Sequence, residues 1–371
     1  MTTIHEVHSK RDLKAFIKFP LKLYKNNPYW VPELNQSEMD NLGKNPAFDH
    51  CEKKYWLAKK EGKVVGRIAG IINKLENEKT GDAFARFGWL DFEDDPEVSK
   101  KLIETVEQWA AENGMTKIHG PLGFTDLDNE GMLIEGFKEL GTLAALYNYP
   151  YYPEHLEKYG YEKSVDWVEF EIDVPDSVPE RIESFAKKVA DRYQLRNLEA
   201  KRSKDLRPYI RPIFDLINDT YSELYGVVEL TEKQIDFYAE QYFGFINANF
   251  ISVILNAEDE VVGFGITMPS LSTALQKSRG RLFPFGFIHI LRAMKKNERA
   301  DFYLIGIRKD YQRRGVHILM FDKILKAFHK FGIKKVETNP ELENNTQIQA
   351  IWKDYHPRQH KRRRCFIKKL A

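Results

Sequence analysis

Cysteine is scarce. Only Cys51 and Cys365 occur in 371 residues. Two thiols make neither a disulfide framework nor a cysteine-based zinc cluster, and a reducing cytoplasm is the simplest home for such a chain. Long apolar runs are missing as well. Nothing approaches the roughly 20 apolar residues of a membrane span, and the opening stretch MTTIHEVHSKRDLKAF has no apolar signal core. A missing span does not exclude work at a membrane surface. Charge of one sign is not in excess: 57 Lys+Arg against 55 Asp+Glu leave +2, too little to argue for nucleic acid or another polyanion as a partner of the whole chain. What is abundant is ordinary globular material. Hydrophobic residues make up 42% and charged residues 30%, a balance that supports a folded core. The length is comfortable for two domains. Aromatics at 13% are enough to line deep clefts.

The most informative stretch is Asp301 to Met320, DFYLIGIRKDYQRRGVHILM. Phe302 to Ile307 reads as a buried strand and Arg308 to Arg314 as a polar turn. Gly315 then opens a helix with apolar Ile318, Leu319, Phe321, Ile324, Leu325 and Phe328 on one face. Strand, glycine-bearing turn and helix N-terminus together form an anion site. The first helical N–H groups lack internal partners, and the helix dipole adds positive potential there. Gly315 lets backbone and phosphate approach closely, and Arg313 and Arg314 add charge. The reading from the residues is a diphosphate held at a strand-to-helix turn.

Gln312-Arg313-Arg314-Gly315-Val316-His317 resembles the acyl-CoA-binding motif of the GNAT superfamily of N-acyltransferases, Gln/Arg-x-x-Gly-x-Gly/Ala between a strand and a helix. His317 departs from it, because a side chain replaces the usual small residue beside the pyrophosphate. The resemblance implies acetyl-CoA or a longer acyl-CoA as cosubstrate, a primary amine as acceptor, direct attack, and no metal. It places the donor on Gln312, Arg313, Arg314, Gly315, Val316 and His317. Backbone N–H groups around Ile305 to Ile307 would polarise the thioester carbonyl. For the base it offers Asp301, eleven residues before Gln312, with Glu337 on the next strand as the second candidate. Many relatives carry the tyrosine that protonates the thiolate where this chain has Trp352. Indole cannot do that chemistry, so Tyr355, one helical turn on, is the expected acid.

The first half repeats the plan without the motif. A strand at Ile4 to Val7 is followed by a helix from Lys14 to Tyr24, interrupted at Pro20, and then by a long polar loop through NNPYWVPEL and NLGKNPAFDH. Tyr55 to Ile72 reads as a hairpin, Phe87 to Leu90 as a strand, and Glu97 to Asn113 as a helix punctuated by Asp95-Pro96 and Gly114. Its turn, Phe92-Glu93-Asp94-Asp95-Pro96, has three carboxylates and no arginine or glycine, and it would repel a pyrophosphate. GPLGFTDLDNEGMLIEGF, with the helix Tyr152 to Lys158 and a strand from Val165, resembles a group of bacterial tandem-GNAT proteins whose substrates are mostly undefined. Asp126, Asp128 and Glu130 lack the spacing of a calcium loop. Tyr147, Tyr149, Tyr151 and Tyr152 are read first as packing and second as ligand contacts.

DVPDSVP at 173–179 marks the boundary. A second hairpin, FISVILNAEDEVVGFGITM, repeats the first about 190 residues on. The expected fold is α/β, a mixed sheet flanked by helices in each of two tandem GNAT-like domains, 1–174 without its own CoA motif and 175–371 with it. Two stretches bear on location. The insertion at 277–299 is basic and rich in Phe, and reads as a packed crossover helix, a lid, or a membrane-surface helix. The tail HPRQHKRRRCFIKKL has seven Lys/Arg between Arg358 and Lys369. It reads as a solvated basic strand with Cys365 structural, or as an anionic-membrane contact; the aromatic interleaving of a single-strand nucleic-acid binder is missing. The expected location is cytoplasmic, with peripheral attachment at the inner membrane face as the variant. The expected function is acyl-CoA-dependent N-acyl transfer, acetyl or longer, of groups other than aminoacyl. The alternatives are an aminoacyl-tRNA-dependent tandem-GNAT transferase, or a nonenzymatic ligand-binding scaffold.

Overall fold

The structure is a computed structural model that describes residues 1–243 and 246–370. Its strands are β1 (Thr2–Glu6), β2 (Cys51–Lys60), β3 (Lys63–Asn73), β4 (Phe84–Phe92), β5 (Lys117–Gly120), β6 (Met132–Glu135), β7 (Glu162–Asp173), β8 (Arg196–Asn197), β9 (Ile251–Leu255), β10 (Val261–Pro269), β11 (Arg299–Ile307), β12 (Lys335–Thr338), β13 (Glu341–Leu342) and β14 (Arg358–Lys369). All join one mixed sheet in the order β1-β2-β3-β4-β5-β14-β7-β12-β11-β10-β9-β8, with β6 against β14 and β13 against β7. The order reads alike from both ends. Each half supplies seven strands, five of them in a row at its own end of the order, and in each half a helix crosses between a parallel pair, Pro96–Glu112 from β4 to β5 and Val316–Phe331 from β11 to β12. Both helices bury the face their apolar spacing predicts, Val98, Leu102, Val106 and Trp109 in one and Leu319, Met320, Ile324 and Phe328 in the other.

The centre of the sheet differs from two side-by-side domains. β7 follows the first half, yet it pairs with β12 of the second through Lys335↔Asp173 to Glu337↔Glu171. β14 follows the second half, yet it pairs with β5 of the first through Phe366↔Gly120 to Lys369↔Lys117. The two halves thus exchange their closing strands, which also pair with each other along most of their length.

This placement corrects the reading of the tail as a solvated or membrane-facing basic strand. Arg363 and Lys361 are almost wholly buried, and so is Glu169 of β7. Arg363 bonds Glu169, and Lys361 bonds Glu337 and lies 3.7 Å from Glu169. Arg364 and Arg362 share Asp166 at 2.8 and 3.2 Å, and Arg358 and Lys335 share Glu171 at 3.1 and 2.9 Å. The excess acid of β7 is the counter-charge that the basic tail needs, and the two segments meet only in the fold. Cys365, on β14 itself, is buried with Leu122 and Trp167.

Local departures have simple causes. The first helix, Lys10–Leu23, runs through Pro20 instead of breaking there, capped by Ser9 whose hydroxyl accepts from the Asp12 amide. Part of the expected loop forms a helix, Asn35–Lys44, whose Glu38 and Leu42 turn inward. The insertion folds as two short helices, Ser272–Ser278 and Gly286–Lys295. No described helix is long and apolar enough to cross a membrane.

Removing one partner from a buried ion pair strands the other charge, at a cost of about 3–5 kcal/mol. Glu169→Gln is therefore expected to lower unfolding stability by about that much in urea titrations, while Glu154→Gln on the exposed face of a helix leaves the midpoint where it is.

Candidate active site

β11 pairs with β12 only from Arg299↔Lys335 to Phe302↔Thr338. Beyond that point β11 continues to Ile307 along β10 alone, so the sheet opens as a wedge. The Asn339 side chain holds its apex by donating to the Tyr303 carbonyl at 2.8 Å. Arg308 donates its amide to Val262 of β10, and strand alternation turns the Ile305 and Ile307 amides the other way, into the wedge. The wedge is a cleft of about 580 Å³, walled by Ile305, Ile307, Gln312, Arg313 and His317 on one side and by Asn339, Glu341, Asn345 and Trp352 on the other.

The turn has the shape its sequence predicts. Gly315 sits at φ +79° as N-cap of the helix Val316–Phe331, and a Cβ there would lie 3.2 Å from Val189. Arg313 is also left-handed, at φ +60°, which carries its side chain to the cleft. Arg314 does not border the cleft; its guanidinium stacks on Tyr311 and Tyr193, 5.2 and 5.4 Å from the ring centroids. Gln312 donates to the Ile307 carbonyl at 3.1 Å and closes the turn. Val316 is buried beneath it. His317 is half-buried on the cleft wall, and burial lowers its pKa, favouring the neutral ring. Of the expected donor residues, Ile305, Ile307, Gln312, Arg313 and His317 come together at one surface; Arg314, Gly315 and Val316 support it from behind.

The expected catalytic carboxylates lie deeper. Asp301 and Glu337 are neighbours across the parallel pair β11/β12, both buried. Burial pushes Asp301 to about 6 and Glu337 to about 8, the latter against the pull of Lys361. Neither borders the cleft. Glu337 comes within metal-ligand range of Glu169 and His360, but Lys361 and Arg363 already neutralise that group. Tyr355 packs on Phe321, ring centroids 6.2 Å apart, outside the cleft wall.

Two residues that the sequence did not single out, Glu341 and Tyr221, line the cleft. Glu341 lines the cleft four residues after Glu337. Its Oε1 accepts from the indole N–H of Trp352 at 2.7 Å, its Oε2 is buried without a hydrogen-bond partner, and burial pushes the carboxyl up to about 8. Trp352 thus serves as a holder for this carboxylate. Tyr221 is one of three phenols on the cleft wall, with Tyr225 and Tyr303. It accepts from the Ile305 amide at 3.2 Å and donates to the Ile305 carbonyl at 3.0 Å, and burial raises its pKa. Glu341 had a local signal, a carboxylate just past a strand's C-terminal end, where open α/β sheets place ligands. Tyr221 had none, being 84 residues from the backbone it touches.

Beside the cleft is a second cavity of about 260 Å³, sharing Asp126, Asp128, Tyr303, Leu304 and Asn339 with it. One wall is aliphatic, with Ile210, Ile213, Ile217, Ile251 and Met268. The other is acidic, with Glu33, Glu38, Asp126 and Asp128. Asp128 accepts the Phe124 amide at 2.7 Å and Asn41 Nδ2 at 2.7 Å, which makes it a loop cap. Burial raises Asp126 and Asp128 to about 6 and carries Glu33 and Glu130 well above the usual carboxylate range.

The first half has the same wedge, filled. Asp95 caps the helix Pro96–Glu112 by accepting the Glu97 amide at 2.9 Å and pairs with Lys60 at 2.7 Å. The Phe92 amide donates to Tyr152, which with Tyr24 packs around Asp91 and Arg67. Tyr147, Tyr149, Tyr151 and Tyr152 form one run of ring contacts.

This architecture is found elsewhere. No family profile matches the sequence. Protein YghO of Escherichia coli (strain K12) is 30% identical over 370 residues, covering 98% of this chain and 94% of that one. The chain belongs to the YghO family. A bacterial ceramide synthase of Caulobacter vibrioides is 26% identical over 379 residues, covering 98% of this chain and 96% of the other. Among solved structures, a tandem GNAT protein from the clavulanic acid biosynthesis pathway superposes with a TM-score of 0.58 at 13% identity, over 100% of this chain and 99% of that one. The GCN5-related glucosamine N-acetyltransferase region of a fungal GH3 β-N-acetylglucosaminidase gives 0.56 at 11% identity, over 99% of this chain and 38% of that one. At these identities the likeness is one of fold, and the fold of this YghO relative is the tandem GNAT fold.

A carboxyl whose folded pKa exceeds its unfolded value holds its proton more firmly when folded. It adds stability that is complete below about 4.5 and is lost as pH rises through the folded value of about 8. Glu341→Gln is therefore expected to gain on the parent between pH 5 and 8, by on the order of 2–4 kcal/mol, in denaturant titrations at stepped pH.

Proposed function

We infer that this protein is an acyl-CoA-dependent N-acyltransferase that moves an acyl group from the thioester to a primary amine. The observation that carries this reading is the wedge itself. A helix N-terminus with Arg313, a strand edge with inward amides, and the Glu341 carboxylate all line one cleft.

In this reading the donor's pyrophosphate lies on the turn Gln312–His317 and its pantetheine arm runs along β11. The phenol oxygen of Tyr221, 3.2 Å from the Ile305 nitrogen, marks where an acceptor oxygen such as the thioester carbonyl is held. The amine lone pair attacks the carbonyl carbon, the C–N bond forms and the C–S bond breaks. Glu341 takes the amine proton, directly or through water. The thiolate leaves and is protonated, and Tyr221, the cleft phenol bonded to the Ile305 backbone, supplies that proton. Asp301 and Glu337 then fix the base of the wedge. Residues 175–371 form the donor unit, and residues 1–174 shape the acceptor side through Glu33, Glu38, Asp126 and Asp128. These groups are negative at neutral pH where burial leaves them near 6, and they attract an ammonium. The aliphatic wall opposite them suits a hydrocarbon tail. The relative named bacterial ceramide synthase points the same way, since ceramide formation joins an acyl group to the amine of a long-chain base. We take a long-chain amine as the acceptor class.

Binding of a donor to the folded state raises its stability by mass action, about 2.7 kcal/mol at a hundredfold excess over Kd. The melting midpoint is expected to rise by several degrees with acetyl-CoA or a long-chain acyl-CoA. Arg313→Glu should remove this shift, and Arg314→Glu should weaken it less. No shift with any CoA species in folded protein overturns the donor assignment.

Transfer to a long-chain amine, followed by release of free thiol, is expected to rise with pH through about 8 as Glu341 loses its proton. Glu341→Gln should slow it on the order of 100-fold, and Tyr221→Phe should slow it more than Tyr355→Phe.

A further inference from the structure

From Val261 to Asn297 the chain has no Asp or Glu at all, although the whole sequence carries 55. The same stretch holds Lys277, Arg279, Arg281, Arg292, Lys295 and Lys296. All six are exposed, and none is in a salt bridge with a described carboxylate. At the tip between the two insertion helices and along the second of them, Phe283, Phe285, Phe287 and Leu291 are 78%, 69%, 39% and 52% exposed. Among the described residues, the other large apolar side chains that stand out in this way are Met1 and Phe185, in other parts of the chain.

The inner side of the insertion is conventional. Ile290 is buried, and Leu282, Ala293 and Met294 pack on Val31, Leu34, Leu271 and Leu275. Phe287 and Leu291, one helical turn apart, face the other way, and the Phe283 ring lies 6.0 Å from that of Phe287. The short helix Gly286–Lys295 therefore has an apolar stripe for the core and a second one for something outside.

We propose that this surface docks the protein peripherally on an anionic lipid bilayer, with the Phe283–Leu291 stripe among the acyl chains and the six cations at the headgroups. A bilayer presents hydrocarbon and anionic groups at adjacent depths, the pattern this surface shows. A second copy of the chain fits poorly, because a two-fold contact through the stripe would bring two sets of six cations together. The fold also gives the position a use. Gly280 accepts the Asn35 amide at 2.9 Å, and Gln276 donates to the carbonyls of Pro28 and Trp30 at 2.8 and 3.0 Å. The segment pinned in this way runs into Glu33 and Leu34, which with Met268 and Leu271 wall the apolar cavity. Docking here sets that cavity against the membrane. The proposal goes beyond the transferase reading and does not need it, since its test reads binding and not turnover.

The test is flotation of the full chain with vesicles of phosphatidylcholine alone or mixed with phosphatidylglycerol. The expected result is binding to the mixed vesicles, released by high salt, with little binding to phosphatidylcholine. Phe283→Ser with Phe285→Ser, and separately Arg279→Glu with Arg281→Glu, should each weaken binding at least tenfold at an unchanged melting midpoint, since all four side chains are exposed. Three results would overturn the proposal: no binding of folded protein to the mixed vesicles, binding that survives both double variants, or a dimer in light scattering that the Phe283/Phe285 variant abolishes.

Discussion

Lys361 and Arg363 of β14 reach Glu169 of β7, in the first half, and Glu337 of β12, in the second. The four groups are buried, so water cannot stand in for any of them, and each is tolerable only while its partners are in place. The exchange of β7 and β14 is the topological form of this constraint. It makes the sheet continuous from β1 to β8 and fixes β12, held on one side by a strand of the first half and on the other by β11.

The cleft is a product of that arrangement. Because β12 is short and held at its base, β11 extends past it and the wedge opens. The chain leaving β12 then crosses the opening, carrying Asn339 to the apex and Glu341 to the wall. β13 pairs with β7 and anchors this crossing, so the exchanged strand of the first half positions a site whose donor side belongs to the second. In the first half the same opening is closed by Tyr24, Tyr152 and Asp95. One architecture appears twice, once open and once filled.

Much of this was legible in the residues. The helix Val316–Phe331, its Gly315 cap and the hairpins announce themselves through apolar period and turn chemistry, which are local properties. The expected bases, Asp301 and Glu337, lie beneath the cleft and not on its wall, for a physical reason. Strand alternation shows that Asp301 and Glu337 point alike, but not that three strands bury that face. The tail was harder still. Seven cations in twelve residues look solvated until the acids of β7, nearly two hundred residues earlier, are set beside them. Trp352 looked like a defect in a tyrosine position, and only the 2.7 Å contact with Glu341 gives it a task. Tyr221 was beyond reach, since nothing in its neighbourhood in sequence relates it to β11.

The exchanged strand also bears on how the molecule is made. β5 is complete after Gly120, but the strand that covers its free edge begins at Arg358. Throughout synthesis of the intervening residues, the first half carries an open row of backbone donors and acceptors, a template for pairing with any passing extended chain. Maturation is therefore vectorial, and the first half is sealed only once β14 of the second half has emerged. A premature stop anywhere before β14 would damage the oldest part of the protein as well as the youngest, leaving a sticky product where a simple tandem array would leave one sound domain.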